Sequence, residues 1–423
     1  MRISTIQAYN NSVAGLQRNY SSVTRTQEQI STGKRILTPA DDPVASVRLL
    51  QLSQEQALNG QYKTNLTAAK NSLNSEEAIL TSVGNVLQRI REIAVQAGNG
   101  AQDSTDKQAL ASELSQREDE LLNLLNSRDA NGKYLFSGSQ GDTQPFIRNA
   151  DGTYSYQGDD SQRQVQIASS TLLPISDSGK KLFENVFNAN RVTTGAAAGN
   201  SGTGRISLGL VEDKLAYDGE FPSSNPPAAG DGIGIRFLDD RNYEVYDLND
   251  PGLPASYAAL GSGSIDDNSQ TSDFIRYGGV KVQIDGEVKA GDDFSIRRDP
   301  ANEKRGLLDS VADLRKALSA IPNDQSGNYT VRDATAIALS NLDAANNQVL
   351  KVRGQIGARL NTIESTETFI DDVTLVNTGV ISDLQDLDYA EALSRLSLQS
   401  TVLQAAQQSY VKVRGLSLFN YLG

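Results

Sequence analysis

Apolar residues recur every three or four positions along both ends of this 423-residue chain, while the residues that break helices collect in its middle. The first run is Ile6, Tyr9, Val13, Leu16, Tyr20, Val23, Gln27 and Ile30, with Gln27 its one polar member. A second is Tyr62, Leu66, Ala69, Leu73, Glu76, Leu80, Val83, Leu87, Ile90 and Ala94. On the return side come Val349, Val352, Ile356, Arg359, Ile363, Thr366, Ile370, Val373, Asn377, Val380, Leu384 and Leu387, and finally Tyr389, Ala392, Leu396, Gln399, Leu403, Ala406, Tyr410 and Val413. A stripe every 3.5 positions, kept over several heptads, predicts helices that pack along their whole length. At 1.5 Å per residue the spans 62–94 and 349–387 would be roughly 50 and 58 Å long, which predicts a rod. Leu110, Leu114, Leu121 and Leu125 predict one shorter helix.

Of 35 glycines, 23 lie between Asn131 and Gly306, and of 11 prolines, 8 lie between Pro145 and Pro300. Both residue types punctuate turns, so the middle is turn-rich and the ends are free to be helical. In the middle, Val165/Ile167, Ile206/Leu208/Leu210, Ile233/Ile235/Phe237, Val280/Val282/Ile284 and Phe294/Ile296 alternate with the period of a strand. Stretches 196–203 and 222–232 read as exposed loop. Between the first two helices, Gly33 suits a left-handed helix C-terminus, and Asp42-Pro43 reads as an N-cap followed by a first helical residue. The expected fold class is therefore α+β: a long jointed α-helical coiled-coil rod formed by both chain ends, with a β-rich domain inserted at its tip. The corresponding divisions are 1–38 with 384–423 as terminal coiled-coil segments, 39–134 with 303–383 as the helical rod, and 135–302 as the β-rich outer domain.

The terminal segments are more apolar than a two-stranded pairing needs. Beyond its seam the last segment carries Leu393, Leu398, Val402, Val411, Leu416, Leu418 and Phe419. Each large apolar side chain gains ~1.5–3 kcal/mol on full burial, so these faces call for neighbours. They are supplied either by the long helices of the same chain or by other copies in an assembly, and the separate seam of each terminal segment favours assembly. The expected assembly interface is Ile6, Tyr9, Val13, Leu16, Tyr20, Val23, Leu393, Leu396, Leu403, Tyr410, Val413 and Leu418.

Chemistry is constrained by what is missing. The chain has no His, no Cys and no Trp, which removes the Ser-His-Asp triad, thiol nucleophiles, disulfides and imidazole or thiolate metal sites. With 39 Lys+Arg against 52 Asp+Glu, a net charge of -13, the chain lacks the basic surplus of a nucleic-acid partner. The pairs Asp41/Asp42, Asp239/Asp240, Asp266/Asp267, Asp292/Asp293 and Asp371/Asp372 show no calcium-loop ladder and read as caps or solvated carboxylates. Gly230-Asp231-Gly232-Ile233-Gly234 and Ser178-Gly179-Lys180-Lys181 fail the dinucleotide and P-loop patterns and read as turns. The expectation is no catalytic centre, no cofactor and no metal. No run approaches the ~20 apolar residues of a membrane span, and the first residues lack the apolar core of a signal peptide.

Several segments resemble the bacterial flagellin superfamily. At the front these are Met1-Arg2-Ile3-Ser4-Thr5, the stretch 31–43 ending Asp41-Asp42-Pro43, and Gln88-Arg89-Ile90-Arg91-Glu92-Ile93-Ala94-Val95-Gln96. At the back they are Asp388-Tyr389-Ala390-Glu391-Ala392, Leu403-Gln404-Ala405-Ala406 and Ser417-Leu418-Phe419-Asn420-Tyr421-Leu422. Asn131-Gly132-Lys133-Tyr134-Leu135-Phe136-Ser137-Gly138, followed by Thr143-Gln144-Pro145-Phe146, resembles the hook-associated branch of that superfamily rather than filament flagellins. The resemblance implies a non-enzymatic, extracellular part of the flagellum at the hook–filament junction. Such a part is exported unfolded, without a cleaved signal, by the flagellar type III apparatus with an export chaperone. Its implied partners are other copies in a ring or tube layer, a hook-side hook-associated protein and the flagellin filament. The resemblance also makes Gln88, Arg89, Arg91 and Glu92 candidate subunit contacts; read from the residues alone, they are a solvated helix face with weak local ion pairs. A filament flagellin is the alternative, and a secreted adhesin or binding module working through its β domain is a more remote one.

Overall fold

The computed structural model describes residues 5–100, 102–223, 228, 230–250, 253, 256–266, 273–319 and 325–415. Helices α1 (Thr5–Thr32), α2 (Pro43–Ala97) and α3 (Ser104–Leu125) precede a β-rich middle that contains the short α4 (Lys214–Gly219); α5 (Leu307–Ser319), α6 (Gln325–Gln385) and α7 (Tyr389–Gly415) follow it. The fold class is α+β, with long helices contributed by both chain ends and a sheet-rich domain between them. At 55 and 61 residues, α2 and α6 run beyond the apolar stripes that announced them. The stripe marks where a helix is covered, while capping and propensity decide where it starts. Asp42 Oδ1 accepts the Ala45 N–H at 3.0 Å and Pro43 takes the first helical position, as the spacing predicts. Two compact units divide the chain, Met1–Leu66 with Ile167–Ser169 and Glu364–Gly423, and Thr67–Gln166 with Ser170–Ile363.

In the second unit the apolar stripes close on each other. Ala69, Leu73, Leu80, Val83, Leu87, Ile90 and Ala94 on α2 are buried, as are Val349, Val352, Ile356 and Ile363 on α6. The pairs Glu77–Arg353 (2.7 Å) and Arg91–Asp343 (3.0 Å) step in opposite directions along the two helices, which makes them antiparallel here. Asp103 caps α3 by accepting the N–H groups of Thr105 and Asp106. Leu110, Leu114, Leu121 and Leu125 then bury one face of α3, which packs on α5, a helix the sequence reading did not anticipate. Buried Glu118 holds this corner, accepting the Arg315 Nε–H at 2.7 Å and the Tyr154 hydroxyl at 2.5 Å.

The middle is built of antiparallel strands. β1 (Phe146–Arg148) pairs β2 (Tyr154–Tyr156), β3 (Gln164–Ala168) pairs β4 (Thr171–Pro174), and β5 (Val186–Phe187) pairs a late strand, Lys304–Arg305. Two larger sheets share one core. The first runs from β6 (Val192–Ala196) through Asp293–Arg298, Gly232–Phe237 and Asn242–Asp247 to an edge strand, Ala259–Ser264. The second joins Asp273–Tyr277, Val280–Asp285 and the short β7 (Arg205–Ile206) and β8 (Leu210–Val211). Ile233, Ile235, Phe237, Phe294 and Ile296 of the first sheet bury against Ile275, Val280, Val282 and Ile284 of the second. Ile206, Leu208 and Leu210 predict a single strand, and the structure breaks it into β7 and β8. The Leu208 N–H goes to the Asp333 carboxylate (3.2 Å), and any side chain at Gly209 would strike Val192. Gly232 and Gly234, expected in a turn, lie in a strand; a side chain at Gly234 would occupy the space of the Tyr246 ring, which lies across it from the paired strand.

Candidate assembly surface

The first unit contains the sequence-predicted interface. α1 and α7 pack on each other, and their seam is partly polar. Thr26 Oγ1 donates to Gln399 Oε1 at 2.8 Å, Arg395 donates to Gln29 Oε1 at 3.0 Å, and the Tyr410 hydroxyl donates to that of Tyr9 at 3.0 Å. Thr26 and Gln29 are buried, as is Ala392 opposite them.

The joint between α1 and α2 is cross-tied to the break between α6 and α7. Gly33, at φ +71°, turns the chain as its position predicts, and its carbonyl accepts the Leu387 N–H at 2.9 Å. The Arg35 N–H donates to the Gln385 carbonyl at 2.7 Å, and the Arg35 guanidinium to that of Leu384. Two breaks thus lie side by side where the sequence reading saw one. Asp41 organises the loop, accepting the N–H groups of Leu37 (2.9 Å) and Thr38 (3.0 Å), the Thr38 hydroxyl, and the Arg25 guanidinium. Chiefly through the Thr38 and Leu37 N–H groups, its pKa is held down at about 2. Asp388 caps α7 through the N–H groups of Ala390 and Glu391. Of the paired aspartates, Asp41, Asp42, Asp239 and Asp292 therefore spend their carboxylates on backbone N–H groups, Asp371 holds Lys63 at 2.6 Å, and Asp267 lies outside the described residues.

The twelve predicted interface residues divide as follows. On α7, Leu396, Leu403 and Tyr410 fall on the half-covered side shared with buried Ala392, whereas Leu393 is exposed. On α1, Val13, Leu16 and Val23 are half-buried, the Tyr9 ring meets that of Tyr410 at a 44° tilt with centroids 5.7 Å apart, and Tyr20 is 66 % exposed. Ile6 and Val413 fall within the backbone spans of α1 and α7, and Leu418 lies outside the described residues. Off the seam, Leu398 (66 %), Val402 and Val411 (67 %) stand exposed.

The sequence reading missed further apolar faces in this unit. Val44, Val47, Leu50 and Leu58 on α2, and Phe369, Leu375 and Val376 on α6, are exposed. They lie off the 3-4 stripe that packs within the chain. Their signal was the surplus of apolar residues over what one stripe needs.

Gln88, Arg89, Arg91 and Glu92, in the second unit, are all exposed on α2 beside the buried Leu87 and Ile90. Arg89 binds Glu113 (2.8 Å) and Glu92 (2.9 Å), and Arg91 binds Asp343. Among the described residues no group of His, Cys, Asp and Glu is placed to hold a metal ion, and no helix is long and apolar enough to cross a membrane.

Long terminal helices that pair with each other, leave apolar faces open and enclose a β insertion define a class. The model of the bacterial flagellin N-terminal helical region matches residues 3–141, and that of the C-terminal helical region matches residues 339–422. The chain belongs to the bacterial flagellin superfamily. Within it, the chain is 27 % identical to flagellar hook-associated protein 3 of Escherichia coli K12 over 419 residues, 99 % of each chain. It is 25 % identical to the protein of that name from Salmonella typhimurium, over the same length and again 99 % of each. Among solved structures, the flagellar junction protein FlgL of Legionella pneumophila superposes with a TM-score of 0.60 at 27 % identity, covering 80 % of this chain and all of that one.

Proposed function

We propose that this chain is a structural, non-enzymatic junction protein of the bacterial flagellum, joining the hook to the flagellin filament. The observation that carries this reading is the open apolar surface of α1 and α7: among the described residues Tyr20, Leu393, Leu398, Val402 and Val411 are exposed. Burying what remains exposed of each would contribute roughly 1–2 kcal/mol, a driving force that neighbouring subunits would supply. Full-length similarity to hook-associated proteins of two organisms supports the particular position in the flagellum.

In this mechanism the chain leaves the cell unfolded through the flagellar type III export apparatus, delivered by an export chaperone. At the growing tip, segments 1–38 and 384–423 form a tube layer with other copies. They contact a hook-side hook-associated protein below and flagellin above. Helical parts 39–134 and 303–383 form the next shell, where Gln88, Arg89, Arg91 and Glu92 meet neighbouring subunits, and 135–302 projects outward.

Deleting the gene tests this directly. Intact hooks, absent filaments and flagellin lost to the medium are expected. Intact hooks with no filament and no flagellin in the medium would make the chain the filament subunit instead, and unchanged filaments would overturn both readings.

A further inference from the structure

One member of the α2 stripe is a carboxylate. Glu76 occupies a seam position between Leu73 and Leu80, is only 1 % exposed, and has both carboxylate oxygens buried without a hydrogen-bond partner. A carboxylate in that state costs several kcal/mol unless it is neutralised. Burial, and then the neighbouring Asp177 carboxylate, push its pKa up to about 8. Arg359, the Asp177 backbone N–H and Arg163 oppose that rise without meeting hydrogen-bond geometry.

The groups around it are already committed. Asp177, 2 % exposed, takes both Arg359 nitrogens at 2.8 and 3.1 Å and the Gln162 amide at 2.5 Å. Arg163 faces Asp129 at 3.5 Å, and on the next position of α2 Glu77 is held by Arg353. Asp177 lies in a strap, residues 176–178, that is buried throughout. Ser176 Oγ accepts the Arg163 N–H at 3.0 Å, Ser178 Oγ donates to the Asp159 carbonyl at 2.8 Å, and just before the strap the Ile175 carbonyl accepts the Ser72 hydroxyl of α2 at 2.9 Å. The strap thus fastens the loops of the β-rich middle to α2 and α6, and Arg359 clamps it to α6 through a charge pair.

We propose that Glu76 is an alkali-sensitive lock on this strap: as a neutral acid it fills the seam, and on losing its proton it sets a second carboxylate against Asp177 for the same Arg359, loosening the strap. A carboxyl whose pKa is higher in the folded than in the unfolded chain stabilises the fold fully at acid pH. That contribution is lost as pH rises from the unfolded value of 4.5 through the folded value of about 8, and is constant above it.

The test is the unfolding equilibrium of the full chain from pH 4.5 to 9, wild type against Glu76→Gln. Relative to the variant, the wild-type unfolding constant should rise by as much as about tenfold per pH unit within the window and level off above it. Glu76→Leu, which fills the site with no ionisable group, should flatten the same profile. At pH 9, amide exchange in residues 175–179 should be faster in the wild type than in either variant. Parallel pH profiles for wild type and both variants, or equal exchange in the strap, would overturn the proposal.

Discussion

The α2–α6 pairing of the second unit and the α1–α7 pairing of the first announce themselves with the same stripe, yet they are finished differently. In the second unit the stripe is covered: Leu73, Leu80, Val83 and Ile90 are wholly buried within the chain. In the first, the seam is stitched by Thr26–Gln399, Gln29–Arg395 and Tyr9–Tyr410 hydrogen bonds, while Tyr20, Leu398 and Val411 stay exposed. Polar stitching holds two helices in register at a net gain of only ~0.5–1.5 kcal/mol per bond, and the larger gain from apolar burial is not taken up there. One pairing buries its stripe within its own unit; the other leaves large apolar side chains exposed beside a polar seam. Amphipathic periodicity alone does not distinguish them.

Removing residues 384–423 should break the contrast most sharply. The truncated chain is expected to keep the melting transition of the second unit while losing incorporation into the flagellar junction altogether, checked by calorimetry and by complementation. Intact incorporation would remove the basis for assigning assembly to this segment. Next, Leu80→Ala should lower the stability of the second unit by ~2–5 kcal/mol through an unfilled cavity, measured by denaturant unfolding. Leu398→Asp should leave the unfolding free energy within ~0.5 kcal/mol of wild type yet impair junction assembly. Equal effects of these two substitutions on stability would show that the two pairings are not different in kind. Asp42→Ala should cost ~0.5–2 kcal/mol by uncapping α2, read from the same unfolding curves. The smallest effect on folding is expected from Arg89→Ala, whose two partners are surface ion pairs of marginal worth. Normal filament retention in that variant would count against a contact role for the 88–92 face.

Much of the architecture was legible because it depends on local order. Every apolar member of the 62–94 run from Leu66 onward is buried, and Gly33 and Asp42-Pro43 sit where the joint needs them. What was not legible depends on partners distant in sequence. Which element covers the Leu307–Ser319 helix is one case: its own 3-4 stripe of Leu307, Val311, Leu314 and Leu318 calls for a helix, and only the fold sets α3 against it. Ile206 and Leu210 part into separate strands because Asp333, more than a hundred residues on, takes the Leu208 N–H. On α1, the seam turns Thr26 inward to meet Gln399 of α7 and leaves Tyr20 open, a pairing between residues more than 370 positions apart.

By itself, then, the sequence determined that both ends are helical, that the middle is β, and that the termini carry more apolar surface than one partner helix covers. Periodicity, capping and the placement of glycine and proline are properties of neighbouring residues, and they survive without the fold. The tertiary structure alone decided which apolar faces stay open, which breaks lie side by side, and that the glutamate in a leucine stripe is sealed against Asp177 and Arg359. Burial and electrostatics are sums over everything nearby in space, and no window along the chain contains those terms.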